Sequence, residues 1–163
     1  MQFAVFVSVL LVASSSVAQQ RVSPTQLKGA PGFEVHLAKL QPTPDSTKVV
    51  SGGETYYLQK QAIVHASDIK KVVTLGRNPQ SGMWGIFIRL GHAGGQKMQA
   101  ATRKHLGEVW CVIVADQIVN CSTIVGVFGA RFELTFNTAP QAQRIFRLIT
   151  GMMADETGHP KKN

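Results

Sequence analysis

Two segments of this chain alternate apolar and polar side chains strictly enough to demand a sheet with one buried face. Trp84, Ile86, Ile88 and Leu90 alternate with Gly85, Phe87 and Arg89. Phe132, Leu134 and Phe136 alternate with Arg131, Glu133 and Thr135. Side chains of an extended chain point to opposite faces with a period of two, so each segment predicts a strand that is apolar on one side and wet on the other.

The stretches between them break into recognisable pieces. Tyr56-Tyr57-Leu58 opens an extended stretch that runs from Glu54 to about Val64. Ser67 is placed to cap a short helix beginning Ser67-Asp68-Ile69-Lys70, with Asp68 well set for the helix dipole and an end near Gly76. Gln96 to Leu106 predicts a second helix, since Met98, Ala101, Thr102 and His105 recur at helical spacing before Gly107. Val109–Ala115 and Ile118–Val125 are two apolar runs around Asp116-Gln117 and predict a hairpin. A last helix is expected after Asn137 as N-cap and Pro140 in the first turn; it buries Ala142, Ile145, Phe146 and Ile149 and stops at Gly151. From Glu54 the order is β-α-β-α-β-β-β-α. That order predicts an α+β fold, a mostly antiparallel sheet with helices packed on one face.

The first fifty residues read differently. Phe3 to Val12 is an apolar run followed by small residues, Ser16-Val17-Ala18, which is the pattern of a secretory signal peptide spanning 1–18 with cleavage after Ala18. The run is shorter than the roughly 20 apolar residues needed to span a bilayer. Residues 19–53 hold Pro24, Gly29, Pro31, Gly32, Pro42, Pro44, Gly52 and Gly53, and read as a linker. Within it, Phe33, Val35 and Leu37 alternate with polar neighbours and suggest a short edge strand at 33–38. The folded unit is then expected at 54–151, able to fold without the linker, with a polar tail at 152–163. The expected location is periplasmic or secreted.

Charge narrows the partners. Seventeen basic residues stand against nine acidic ones, a net charge of +8 that favours acidic surfaces. The cations are scattered singly or in pairs rather than in blocks, and with export this argues against nucleic acid. Catalytic patterns are missing. His36, His65, His92, His105 and His159 form no i, i+4 pair and no zinc spacing, and no Gly-x-Ser-x-Gly elbow exists. His92-Ala93-Gly94-Gly95 reads as a turn from strand to helix, with Lys97 the one local cation. Glu108, Asp116 and Glu133 are isolated carboxylates. The sequence therefore predicts no enzyme, no metal and no cofactor. Two surface features remain. Lys97 and Lys104 on one helix and Arg144 and Arg147 on the other would form one basic surface for an anionic envelope if the helices lie side by side. Phe87 and Ile113 fall on the strand faces opposite the main apolar set and would offer a partner face on an uncovered sheet.

Cys111 and Cys121 flank the hairpin, and its turn decides their pairing. A two-residue turn at Asp116-Gln117 puts Cys111 opposite Ser122 and Cys121 opposite Val112, with the sulfurs on opposite faces. A three-residue loop, Ala115 to Gln117, puts the cysteines directly opposite each other. Both registers are open at this point.

The ordered set from about 54 to 151 resembles a known family. Tyr57-Leu58-Gln59-Lys60-Gln61-Ala62-Ile63-Val64 followed by Ser67-Asp68-Ile69, the strand Gly85–Leu90, a helix with Met98 and Thr102 leading to Gly107, a hairpin tipped by Asp116, and Arg131-Phe132-Glu133-Leu134-Thr135 before a helix ending at Gly151 are similar to the head subdomain of the first periplasmic domain of SecD. SecD is an accessory subunit of the Sec protein-export machinery. Gln117 and Cys121 depart from that family's usual Gly and its small residue or Pro. The transmembrane helices that family uses to draw on a proton gradient have no counterpart in this sequence. The resemblance implies a fold and contact with protein or unfolded polypeptide in the periplasm. The expected role is an exported binding or adaptor module. The alternative is an envelope-associated protein held on anionic surfaces by basic helices.

Overall fold

The computed structural model describes residues 32–156. The expected signal peptide, most of the stretch before Phe33 and the end of the expected tail lie outside them. The described chain runs β1 (Phe33–Lys39), β2 (Thr47–Ser51), β3 (Glu54–His65), a single 3-10 turn (Ala66–Asp68), β4 (Ile69–Arg77), β5 (Trp84–Leu90), α1 (His92–Lys104), β6 (Val109–Val114), β7 (Gln117–Thr123), β8 (Arg131–Phe136) and α2 (Ala139–Glu156). The fold is α+β, and every strand pair is antiparallel.

The strands make two sheets, not one. A five-stranded sheet has the order β2-β3-β1-β6-β7, and a three-stranded sheet the order β4-β5-β8. Their apolar faces share one core. Phe33, Val35 and Leu37 of β1 and Trp110, Val112 and Val114 of β6 meet Ile86, Ile88, Phe132 and Leu134 of the other sheet, with Met98 of α1 and Ala142, Ile145 and Ile149 of α2. Phe132 joins the sheets directly, its ring centroid 6.4 Å from Phe33 and 5.7 Å from Trp110.

The stretch expected as a linker with an edge strand supplies the centre of the larger sheet. β1 pairs with β3 on one side and β6 on the other, and Phe33 and Val35 are fully buried. Prolines at 42 and 44 do punctuate the chain, but they mark the connection from β1 to β2. The breakers report the turns and say nothing against the strands between them. The β1–β3 register shifts twice, between Val35 and His36 and between His36 and Ala38. Such bulges bend a strand and tighten its twist. The sheet coils until its edges β2 and β7 approach each other. Its far face thereby closes over a second apolar cluster of Ala38, Val49, Tyr56, Leu58, Cys111, Ile113 and Ile118.

The helix expected after Ser67 is one 3-10 turn followed by β4. Val72, Val73 and Thr74 are consecutive β-branched residues, stiff in a helix and favoured in a strand, and β5 is there to pair with them. α1 starts four residues earlier than expected, with Gly91 as N-cap. Gly94 and Gly95 lie inside its first turns because of packing: a Cβ on Gly94 would sit 2.7 Å from the Asp68 side chain, and one on Gly95 2.7 Å from Ala130 Cβ. Thr102, fully buried, donates to Met98 O at 2.8 Å and accepts from Phe128 N at 3.0 Å, tying the loop before β8 to the helix. α2 is capped by Thr138, whose hydroxyl accepts from Gln141 N, rather than by Asn137. It runs through Gly151 to Glu156, and Met152 and Met153 of the expected tail pack against the core.

The hairpin turn is Ala115-Asp116, one residue earlier than expected, with φ of 47° and 59°. Two positive φ values mark a type I′ turn, the two-residue connection that suits strand twist. The register then shifts between Val112 and Ile113, and Cys111 lies opposite Cys121. The two are disulfide-bonded with Cα atoms 4.1 Å apart.

Candidate binding surfaces

The solvent side of the three-stranded sheet is built in rows across β4, β5 and β8. Lys71 pairs with Arg89, and Arg89 with Arg131. Val73 pairs with Phe87, and Phe87 with Glu133. Beyond them Leu75 and Glu133 close over Gly85, where a Cβ would come 3.2 Å from Leu75 Cβ and collide with the Glu133 carboxylate. Residues directly opposite on antiparallel strands share a face, with Cβ atoms about 4.5–5.5 Å apart. Lys71, Arg89 and Arg131 are all exposed and therefore form one line of three cations. None has a carboxylate within ion-pair distance among the described residues. Next to the line, Val73 and Phe87 are half-buried and Leu75 is 53% exposed. β4 has β5 on one side and no strand on the other among the described residues.

Phe87 thus lies on an open sheet face, as its alternation with Ile86 and Ile88 required. Ile113 does not: it is 2% exposed, on the other sheet, inside the second apolar cluster. The coiling of the larger sheet covers the face that a flat sheet would have left open. Of the four helical cations expected to share one surface, three are held by groups of the protein itself. α1 lies against β3 and β5, whereas α2 lies chiefly against β4, β5, β8 and the 3-10 turn. Lys97 is bound to Asp68 at 3.0 Å, Arg144 donates to Gln117 Oε1 at 2.9 Å, and Arg147 returns to Gln143 O of its own helix. Lys104 is exposed in the last turn of α1, where a cation complements the helix dipole. The cation line is not legible in the sequence, because a cap at Ser67 predicts a helix through Lys71. Arg89 and Arg131 were each visible on the polar side of a strand, but only the β5–β8 register makes them neighbours.

Among the described residues no group of three or more His, Cys, Asp or Glu is placed to hold a metal, and no helix is long and apolar enough to cross a membrane. The family model for the SecDF P1 head subdomain matches residues 41–152, well over half of the chain. The chain belongs to this family.

Solved structures agree on the fold of this SecDF P1 head domain. It is similar to SecDF, described as a membrane component that enhances protein export, with TM-score 0.56 and 12% identity over 73% of this chain. It is similar also to SecDF in a super-membrane-facing form, with TM-score 0.57 and 12% identity over 73% of this chain. The chain spans 61% of the length of the first and 18% of the second. No curated protein sequence matches it.

The family match begins at Gln41, so β1 lies ahead of it. In this P1 head domain β1 carries a polar cluster on the face away from the main core. His36, 5% exposed, has Nδ1 2.8 Å from Gln59 O and Nε2 2.8 Å from Glu34 Oε2. Both ring nitrogens thus face oxygen acceptors, a backbone carbonyl and a carboxylate. His65, opposite Glu34 on β3, has Nδ1 3.6 Å from Glu34 Oε1. The hydrogen bond from His36 holds the Glu34 carboxyl below the usual carboxylate range, against the opposing effect of its partial burial. A carboxyl depressed in the folded state stabilises the fold above its unfolded pKa, and that contribution is lost as pH falls through the folded value. Stability is therefore expected to drop on acidification below the ordinary carboxyl value of 4.5. Glu34→Gln should flatten this limb by on the order of 1 kcal/mol, a small figure because solvent reaches the group. Urea melts at several pH values measure it; parallel limbs in the two proteins would show that Glu34 is not the group responsible.

Proposed function

We propose that this chain is an exported binding module, acting in the periplasm or outside the cell, that contacts protein or unfolded polypeptide through its SecDF P1 head domain. The observation that carries the reading is the three-stranded sheet. It offers solvent an open face with half-buried apolar side chains, bordered by an edge of β4 that no strand pairs among the described residues. Extended polypeptide binds such edges through main-chain hydrogen bonds and such faces through alternate side chains. Two further findings support it. The solved relatives belong to a component that enhances protein export. The Cys111–Cys121 disulfide suits an oxidising compartment. The role is binding without chemistry.

The test is fluorescence anisotropy of a labelled, reduced and alkylated unfolded protein titrated with the purified full chain. Binding in roughly the micromolar range is expected, because ordering a flexible segment offsets much of the contact energy. The native, folded form of the same protein should not compete. Equal binding of folded and unfolded forms, or no binding of either, would remove the reading.

A further inference from the structure

The solvent side of the β4-β5-β8 sheet holds a charge arrangement that the fold alone does not explain. Like charges directly opposite on neighbouring strands destabilise a sheet. Here both strand pairs carry one in the same row, Lys71 with Arg89 and Arg89 with Arg131. Glu133, the one carboxylate among the residues on this face, sits in the next row opposite Phe87 and forms no ion pair with any of the three. A row of three cations beside Val73, Phe87 and Leu75 is complementary to a ligand with carboxylates at one end and apolar groups at the other.

We infer that this face and the adjoining β4 edge dock an extended polypeptide segment of the pattern acid-x-apolar-x-apolar. The inference rests on the polypeptide-binding reading above and names the class of segment bound. Side chains of an extended segment repeat on one face every two residues, about 6.6–6.8 Å. Lys71 and Val73 step along β4 at the same interval, and Leu75 follows at a bulge that still sets its side chain over Gly85. A segment paired with the open edge of β4 places one carboxylate against the cation row, and its next two same-face side chains against Val73 with Phe87 and against Leu75. The edge decides between a polypeptide and an anionic bilayer: backbone donors and acceptors along β4 call for a strand, which a lipid surface does not provide. The same partner relieves the repulsion that the row imposes on the free protein.

Labelled peptides of about ten residues that carry one Glu with Val two and four positions after it and Ser at the positions between, and their Lys-for-Glu counterparts, titrated with the full chain by anisotropy, test this. The acidic peptide is expected to bind about tenfold more tightly than the basic one. The triple variant K71Q/R89Q/R131Q should lose about tenfold for the acidic peptide, because its carboxylate loses all three cations of the row at once. Raising salt from about 50 to about 500 mM should weaken the wild type and leave the variant little changed. The thermal midpoint of the variant should equal or exceed that of the wild type, a result that a merely structural role for these cations would reverse. Amide exchange over residues 69–77 should slow on binding. Equal binding of the acidic and basic peptides, or an unaltered affinity in the variant, overturns the inference. So does variant-sensitive binding of anionic vesicles with no binding of acidic peptide, which makes the face a lipid-headgroup surface. If the variant binds unfolded protein as the wild type does, the general reading stands and only this inference falls. If no polypeptide binds at all, both fall.

Discussion

A chain shortened to begin at Gly53 is expected to lose cooperative unfolding. The shortening removes β1 and β2. It leaves β3 and β6, which β1 joins, each with an unpaired edge in the middle of the molecule. It also strips Phe33, Val35 and Leu37, each at most 6% exposed, from the shared core. Fully burying a side chain of this kind stabilises by about 1.5–3 kcal/mol. Three of them approach the roughly 5–15 kcal/mol that holds a whole domain together. Phe33→Ala in the full chain should alone cost about 3–5 kcal/mol, because its ring packs against Phe132 and the cavity cannot close. Denaturant melts followed by the fluorescence of Trp84 and Trp110 and by far-UV circular dichroism check both. A single transition in the shortened chain, with a denaturant slope near that of the full chain, would show that residues 54–151 are the folding unit and that β1 is an accessory.

The larger lesson of β1 is about which signals in a sequence are local. The strands Trp84–Leu90 and Arg131–Phe136 were legible to the residue, because one apolar face and one wet face leave a period-two record in the sequence itself. β1 left the same record at Phe33, Val35 and Leu37, and its neighbourhood of prolines and glycines obscured it. A turn residue tells how the chain reverses and nothing about how deeply the next strand is buried. β4 failed for the opposite reason. A plausible cap at Ser67 outweighed the β-branched run at Val72–Thr74, and only pairing with β5 settles such a contest. The binding face combines both cases. Phe87 was legible from alternation alone, whereas the Lys71–Arg89–Arg131 line exists only through cross-strand register, which no single segment encodes. The basic helices illustrate a third limit: spacing puts Arg144 and Arg147 on one helix, but it does not reveal that Gln117 of β7 engages Arg144.

The cysteine pair turns the same question of register into an expected measurement. Counting from the Ala115-Asp116 turn, Val114 faces Gln117 and Ile113 faces Ile118. Continued regularly, that ladder would set Val112 against Val119 and Cys111 against Asn120. The shift between Val112 and Ile113 inserts one extra residue, so that Val112 faces Asn120 and Cys111 faces Cys121. The extra residue also places Cys121 on the same face as Ile118 although the two are three positions apart, which strict alternation forbids. Neither register weighed from the sequence contains this combination of an early two-residue turn and a bulge, yet it gives the pairing that the three-residue loop would have given. The denatured, unreduced protein should therefore show no reactive thiol and a mass two hydrogens below that of the reduced chain. The bond closes a loop with a sequence separation of 10. A loop of that size removes about 2.7 kcal/mol of chain entropy from the unfolded state. Reduction should lower stability by about that amount while leaving the secondary structure in place, since Cys111 remains buried in the cluster of Leu58, Ile113 and Ile118 as a small apolar side chain. Urea melts with and without reductant measure the difference. Two titratable thiols before reduction would refute the bulged register and return Cys111 and Cys121 to opposite faces of the hairpin.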